Sequence, residues 1–265
     1  MVTRYITSII LLSLVTVAIY AYGAFGLAIL VSVGFLLAGH EFLRMGEYSG
    51  YRTVWPLGLV LMAGLMVDAV WPQLGLQGLI ILLLVLIPAL LGLLRPPGPN
   101  YLLSWGLFTL SVLYVGGMGG YLFRIAKLED GLALLVLALG ATWTCDATAF
   151  FIGKRWGRTP FFQFISPKKT WEGATAGVIG GMLGVSLVGL LYGFTIPFVL
   201  IFGFIVTVGS TLGDLTESLI KRQLQLKDSG ALLAGHGGLF DRLDSAFWAV
   251  VFAYYCTVLL LPVLK

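Results

Sequence analysis

Charged side chains are scarce in this 265-residue chain: Asp, Glu, Lys and Arg make up 11% of it against 59% apolar residues, and the mean hydropathy is +0.99. A soluble domain carries about 25% charged residues, so polar groups are too few here to cover a globular surface. That excludes a cytosolic enzyme. It equally excludes a disordered protein, which needs low hydrophobicity and high net charge. Cysteine is rarer still: Cys145 and Cys256 both sit in apolar runs, leaving no disulfide framework and no thiolate metal site. No Cys/His set has the spacing of a zinc site. No G-x-x-x-x-G-K-[ST] motif occurs, and no G-x-G-x-x-G follows a strand, so neither a P-loop nor a dinucleotide fold is indicated.

What the chain has in abundance is long apolar runs. At ~20 residues per crossing, the length accommodates about eight to ten transmembrane helices. Runs bounded by charges or helix breakers predict nine, near residues 5–22, 24–39, 54–71, 74–94, 101–121, 131–152, 173–193, 196–217 and 245–263. The fold class is therefore all-α, a polytopic integral membrane helical bundle. The sharpest boundary is Arg95-Pro96-Pro97-Gly98-Pro99-Asn100, which no helix crosses. The first two runs meet at Tyr22-Gly23. Met1 to Arg4 and the run behind them resemble a signal peptide, but no A-x-A-like cleavage site follows, so a retained helix is expected.

Orientation follows from the basic residues. With nine crossings and a cytoplasmic N-terminus, 13 of the 16 Lys and Arg residues fall on the cytoplasmic side, the exceptions being Arg124, Lys127 and Lys265. That is the bias of the positive-inside rule. Trp55, Trp71, Trp105, Trp171 and Trp248 fall at helix ends, where an amphipathic ring prefers the headgroup zone. The chain is thus expected in the cytoplasmic (inner) membrane, with its polar face toward the cytoplasm.

Charge density divides the chain. Residues 1–120 hold seven charged side chains and residues 121–265 hold the other 21. Residues 1–130 therefore read as transmembrane scaffold and residues 131–265 as the catalytic region. Asp68, beside Trp71, is expected to be an interfacial acid without a role. Gly173, Gly177 and Gly181 lie four apart, the spacing that lets helices approach closely in lipid, and packing within one subunit is the simplest use of them.

Charged groups inside apolar helices are expensive and mark function by default. Asp146 lies near the cytoplasmic end of the sixth helix. Asp214 and Glu217, three apart, share a face of the eighth with Ser218 and Lys221. Asp241 and Asp244 repeat that spacing at the start of the ninth. Three nearby carboxylates repel one another unless a cation lies between them. Mg2+ suits such a set, because it takes oxygen ligands and is held by carboxylates together with substrate phosphates. Gly235-His236-Gly237-Gly238 precedes a helix N-terminus, where backbone N–H groups can cradle phosphate oxygens. Carboxylates, a metal, basic side chains and a glycine loop point to phosphoryl or nucleotidyl transfer.

From Ser218-Leu219-Ile220-Lys221-Arg222 through Lys227-Asp228-Ser229-Gly230 to Gly235-His236-Gly237-Gly238-Leu239-Phe240-Asp241-Arg242-Leu243-Asp244, the chain resembles the signature of phosphatidate cytidylyltransferases, the CDP-diacylglycerol synthases. Ser166-Pro167-Lys168-Lys169-Thr170-Trp171-Glu172-Gly173 and the Asp146 segment are also similar to that family. Ala234 stands where the family usually has Pro. The resemblance covers roughly residues 140–245, and it implies transfer of CMP from CTP to phosphatidate with Mg2+, release of pyrophosphate, a carboxylate-bound metal centre with room for a second cation, and a homodimer. No nucleic-acid partner is implied.

On this basis Asp214, Asp241 and Asp244 are expected to hold Mg2+, with Lys221, Arg222, Lys227 and Arg242 offsetting the charge of CTP and departing pyrophosphate. Lys221 and Lys227 are counted with the three acids as catalytic. Ser218, Gly235, His236, Gly237 and Gly238 are expected to bind substrate, His236 as a hydrogen-bond donor or loop residue rather than a base. Asp146 contacts nucleotide or a second cation, or pairs with a buried lysine. Lys168 and Lys169 suit the lipid headgroup, or serve topology alone. The aromatic stretch Thr159–Ile165 either admits lipid from the headgroup layer or is a connecting loop. Two rival classes remain at this point: a CTP-dependent lipid-alcohol kinase, whose products are a phosphorylated alcohol and CDP, and an ion-coupled secondary transporter.

Overall fold

A computed structural model describes residues 2–94, 98, 100–230 and 238–264. Gly235, His236 and Gly237 of the glycine-rich motif lie outside the described residues. The described chain is helical, with no β-strand: α1 (Val2–Tyr48), α2 (Trp55–Val70), α3 (Leu76–Leu94), α4 (Tyr101–Val112), α5 (Met118–Ala126), α6 (Gly131–Trp156), α7 (Trp171–Leu191), α8 (Ile196–Gln223) and α9 (Phe240–Leu264). Seven helical stretches among the described residues are long and apolar enough to cross a membrane, and α2 is a shorter apolar helix.

α1 is one element by its hydrogen bonds but breaks at Gly23, whose φ of 56° and ψ of −131° lie outside the helical region. That left-handed φ suits a residue without Cβ. The break is sharp. Ala18 and Gly26 would stand ~12 Å apart along a straight helix, yet a Cβ on Gly26 would overlap the Ala18 carbonyl. The sequence places its first boundary at this glycine. A second irregularity lies between α4 and α5, where Leu113–Gly117 forms a π-helical turn. There Gly116 comes so close to α2 that a Cβ would lie 2.7 Å from Met62 Cα.

Several helices outlast their apolar runs. α6 continues to Trp156 through Lys154 and Arg155, and α8 to Gln223 through Glu217, Lys221 and Arg222. Helical hydrogen bonds need no apolar side chains, so charged turns project beyond the ~30 Å hydrocarbon layer. Asp68 is buried on α2, with Oδ1 lacking a hydrogen-bond partner among the described residues.

The chain divides into two compact units: residues 1–124 with 223–243, and residues 125–222 with 244–265. Residues 223–243, which charge density groups with the C-terminal region, belong to the first unit. Its centre is apolar and aromatic, with Phe42 and Phe240 fully buried and their ring centroids 4.9 Å apart.

In the second unit, glycines set the helix spacing. A Cβ on Gly177 would lie 2.9 Å from Ala149 Cβ and 3.0 Å from Cys145 O, so α7 lies directly on α6. One on Gly213 would lie 2.7 Å from Asp244 O, which brings α8 equally close to α9. The glycine stripe is thus used for packing within the subunit. Gly177→Val is expected to destabilise the protein by about 1–3 kcal/mol through overpacking, read as a lower unfolding temperature in detergent. An unchanged midpoint would contradict this packing.

Candidate functional site

The second unit gathers its polar residues toward the C-terminal ends of α6 and α8. α6 supplies Asp146 and Lys154 near its C-terminus, and α8 supplies Asp214, Glu217 and Lys221 near its own. The loop between α6 and α7 is held at both ends. Glu172, in the first turn of α7, accepts hydrogen bonds from the backbone N–H groups of Arg158 and Thr159, each at 3.1 Å, and from the Thr159 hydroxyl at 2.8 Å. Thr170 caps α7 by accepting the Gly173 N–H at 3.2 Å. Across the loop, the Phe161 N–H donates to Lys169 O at 2.8 Å and the Trp171 N–H to Thr159 O at 2.9 Å. A loop so fixed can aim its side chains.

Lys169 points back to α8 and forms an ion pair with Asp214. Arg222 ties the end of α8 to the same loop, its Nε donating to Ile165 O at 3.3 Å. A cavity of about 580 Å³ opens beside these groups, lined among others by Asp146, Lys154, Lys168, Lys169, Thr211 and Asp214. That volume accommodates a molecule of drug or nucleotide size. Phe161 is buried against Trp171, whereas Phe164 is 99% exposed and Phe162 is also exposed, so only part of the aromatic stretch is free to meet lipid.

Beside the cavity, carboxylate oxygens of Asp214, Glu217 and Asp244 all lie within 4.8 Å of one another. The close approach at Gly213 makes this possible. Glu217 and Asp244 are buried. Lys221 pairs with Glu217 at 2.7 Å, and Asp244 accepts the Ser245 N–H at 2.7 Å. Two like charges 4.8 Å apart cost on the order of 3 kcal/mol at an effective dielectric of 20. Lys169 and Lys221 offset part of this repulsion. An oxygen-only donor set in this setting fits a hard divalent cation of the Mg2+ type.

Of the residues predicted from sequence, Asp146, Lys168, Lys169, Asp214, Lys221 and Asp244 come together in this unit, with Ser218 half-buried and Arg222 exposed at the end of α8. The first unit holds Lys227, Gly238, Asp241 and Arg242, of which Lys227 and Arg242 are exposed. Asp241 accepts the backbone N–H groups of Ser229 at 3.1 Å and Gly238 at 3.3 Å. Two residues gain a place that the sequence does not assign them. Glu217 joins the acidic cluster, a position its i,i+3 spacing from Asp214 foreshadows. Lys154 faces the cavity, and from sequence alone it only contributes to the charge bias.

Helices of membrane-spanning length and a lysine-and-carboxylate cavity beside clustered acids define the class: an all-helical integral membrane protein with a polar site suited to an anionic ligand. The chain belongs to the cytidylyltransferase family, whose model matches residues 2–260. It is 35% identical over 157 residues to the phosphatidate cytidylyltransferase of Bacillus subtilis (strain 168), a stretch covering 58% of each chain. It is 45% identical over 139 residues to the phosphatidate cytidylyltransferase of Synechocystis sp. (strain ATCC 27184 / PCC 6803 / Kazusa), covering 51% of this chain and 46% of that one. Over 126 residues it is 43% identical to phosphatidate cytidylyltransferase 5, chloroplastic, of Arabidopsis thaliana, covering 47% of this chain and 31% of the other. The chain thus spans less than two thirds of the length of these relatives. The family resemblance carried by the signature is borne out.

If the cluster is a cation site, neutralising one acid relieves repulsion and removes a ligand at once. Asp244→Asn is therefore expected to raise stability without divalent cations and to abolish the stabilisation by Mg2+, which is about 2.7 kcal/mol for a site at a hundred times its Kd. Thermal unfolding with and without Mg2+ reads both. An intact Mg2+ response in folded Asp244→Asn would contradict the assignment.

Proposed function

We propose that this chain transfers CMP from CTP to phosphatidate, giving CDP-diacylglycerol and pyrophosphate. The observation that carries this reading is the lysine-lined cavity sharing Asp214 with the three-acid cluster. It is supported by the likeness to the phosphatidate cytidylyltransferases of Bacillus subtilis and Synechocystis.

A phosphate oxygen of phosphatidate attacks the α-phosphorus of CTP, and the bond from that phosphorus to the bridging oxygen breaks as pyrophosphate leaves. The attacking phosphate is already an anion at neutral pH, so no strong general base is required. Lys154, Lys168 and Lys169 bind and orient the phosphate oxygens, and the ion pair with Asp214 keeps Lys169 at the cavity wall. Asp214, Glu217 and Asp244 would hold Mg2+, which supplies neutralisation of the triphosphate and polarisation of the phosphorus under attack. Asp241 orders the signature segment by accepting its N–H groups, and Lys221, Arg222, Lys227 and Arg242 offset the remaining anionic charge. Asp146, on the cavity wall, contacts the nucleotide.

The same reading places N-terminus and site on the cytoplasmic face of the inner membrane and gives nine crossings, with α1 counted twice across Gly23 and α2 once. It includes a homodimer. Exposed Phe162 and Phe164 sit in the headgroup layer, where phosphatidate enters.

Pyrophosphate release by purified protein is expected to require CTP, phosphatidate and Mg2+ together. Lys169→Met is expected to lower turnover by roughly 10²-fold, the scale of losing one charge-stabilising donor, without unfolding the protein. Pyrophosphate released without lipid, or CDP as the nucleotide product, would overturn the proposal.

A further inference from the structure

The first unit buries an acid that the proposed chemistry does not use. Glu41, on α1, is 4% exposed. Its Oε2 accepts the Phe240 N–H at 2.8 Å and the Ser229 hydroxyl at 3.3 Å. Gly230 and Gly238 pack directly on the carboxylate: a Cβ on Gly230 would lie 2.8 Å from Oε1, and one on Gly238 2.9 Å from Oε2. Phe240 opens α9, so its N–H is one of the first four that a helix leaves without an internal partner, at the end whose dipole favours negative charge. The neighbouring Phe42 packs on the Phe240 ring. Consecutive residues of α1 thus grip both the backbone and the side chain of one residue.

A carboxylate within an apolar helix is costly, and filling the space alone would need only a leucine. One oxygen meeting two donors from separated segments is a specific arrangement. We propose that Glu41 is a positioning residue for the signature segment: it ties residues 229–230 to residues 238–240 and caps α9. Lys227, Gly238, Asp241 and Arg242 are thereby held in a single geometry. What the segment does rests on the cytidylyl-transfer reading; what holds it does not.

The test is hydrogen–deuterium exchange of the full chain in lipid nanodiscs, with steady-state kinetics alongside. Glu41→Leu preserves volume and removes the acceptor. It is expected to speed exchange about 10-fold or more in peptides spanning 228–230 and 238–241 while the other α1 peptides stay protected. It is also expected to lower kcat/KM for CTP roughly 10-fold or more, chiefly through KM. Glu41→Gln keeps an oxygen able to accept both donors and is expected to stay within about threefold of wild type in both readouts. Ser229→Ala removes one of the two donors and is expected to raise exchange in the same peptides to a smaller degree, which decides the matter if the leucine variant does not fold. Unchanged local exchange in Glu41→Leu, or in Ser229→Ala where the leucine variant is lost, overturns the proposal, and so does a glutamine variant as impaired as the leucine one. Exchange needs no substrate, so wild-type protein inactive toward CTP and phosphatidate refutes the functional reading while the exchange data still decide on Glu41.

Discussion

The arrangement that the rest of the second unit serves is electrostatic: Asp214, Glu217 and Asp244 hold three carboxylates within 4.8 Å of one another, with two of the three residues buried. Like charges at that distance in a poorly polarisable setting separate unless something prevents it. Lys221 and Lys169 supply two positive charges, each in a direct ion pair. Lys169 comes from a loop, and the loop can deliver it only because Glu172 and Thr170 fix that loop's ends. The cavity beside the cluster keeps further lysines on its wall. Acids in the cluster and cations around the cavity together suit a multiply anionic ligand accompanied by a divalent cation.

Glycine makes the cluster geometrically possible. In lipid, helices gain little from burying apolar surface against each other, so close backbone approach and dispersion carry much of the association. Gly173 and Gly177 seat α7 on α6, Gly181 meets Thr207 on α8, and Gly213 seats α8 on α9. Side chains at these positions would push the helices apart and open the distance between Asp214 and Asp244. One small-residue pattern therefore sets both the stability of the unit and the spacing of its acids.

Much of this was legible in the sequence, for a definite reason. Apolar runs announce membrane helices because the hydrocarbon layer tolerates little else, and the break at Gly23 coincides with the boundary between the first two runs. Asp214, Asp244 and Lys169 could be singled out because charge is rare in this chain. Helix ends were less legible, as in α8, whose hydrogen bonds continue past Glu217 to Gln223 after the apolar pattern stops. Glu217 shares the Asp214 face, but its partnership with Asp244 depends on a neighbouring helix. Lys154 looks like any basic residue at a helix end until the packing of α6 turns it toward the cavity. Glu41 was hidden most completely, because its donors lie almost two hundred residues along the chain and nothing local distinguishes it from an ordinary polar residue.

The proposed reaction moves the α-phosphate of CTP, with its nucleoside, onto a lipid phosphate. The most direct measurement follows the label from CTP carrying radioactive phosphorus at either the α or the γ position, with phosphatidate and Mg2+ in lipid nanodiscs. In CMP transfer, α-label enters the lipid fraction while γ-label leaves as pyrophosphate. Transfer of γ-label to lipid, with α-label retained in soluble CDP, would contradict it.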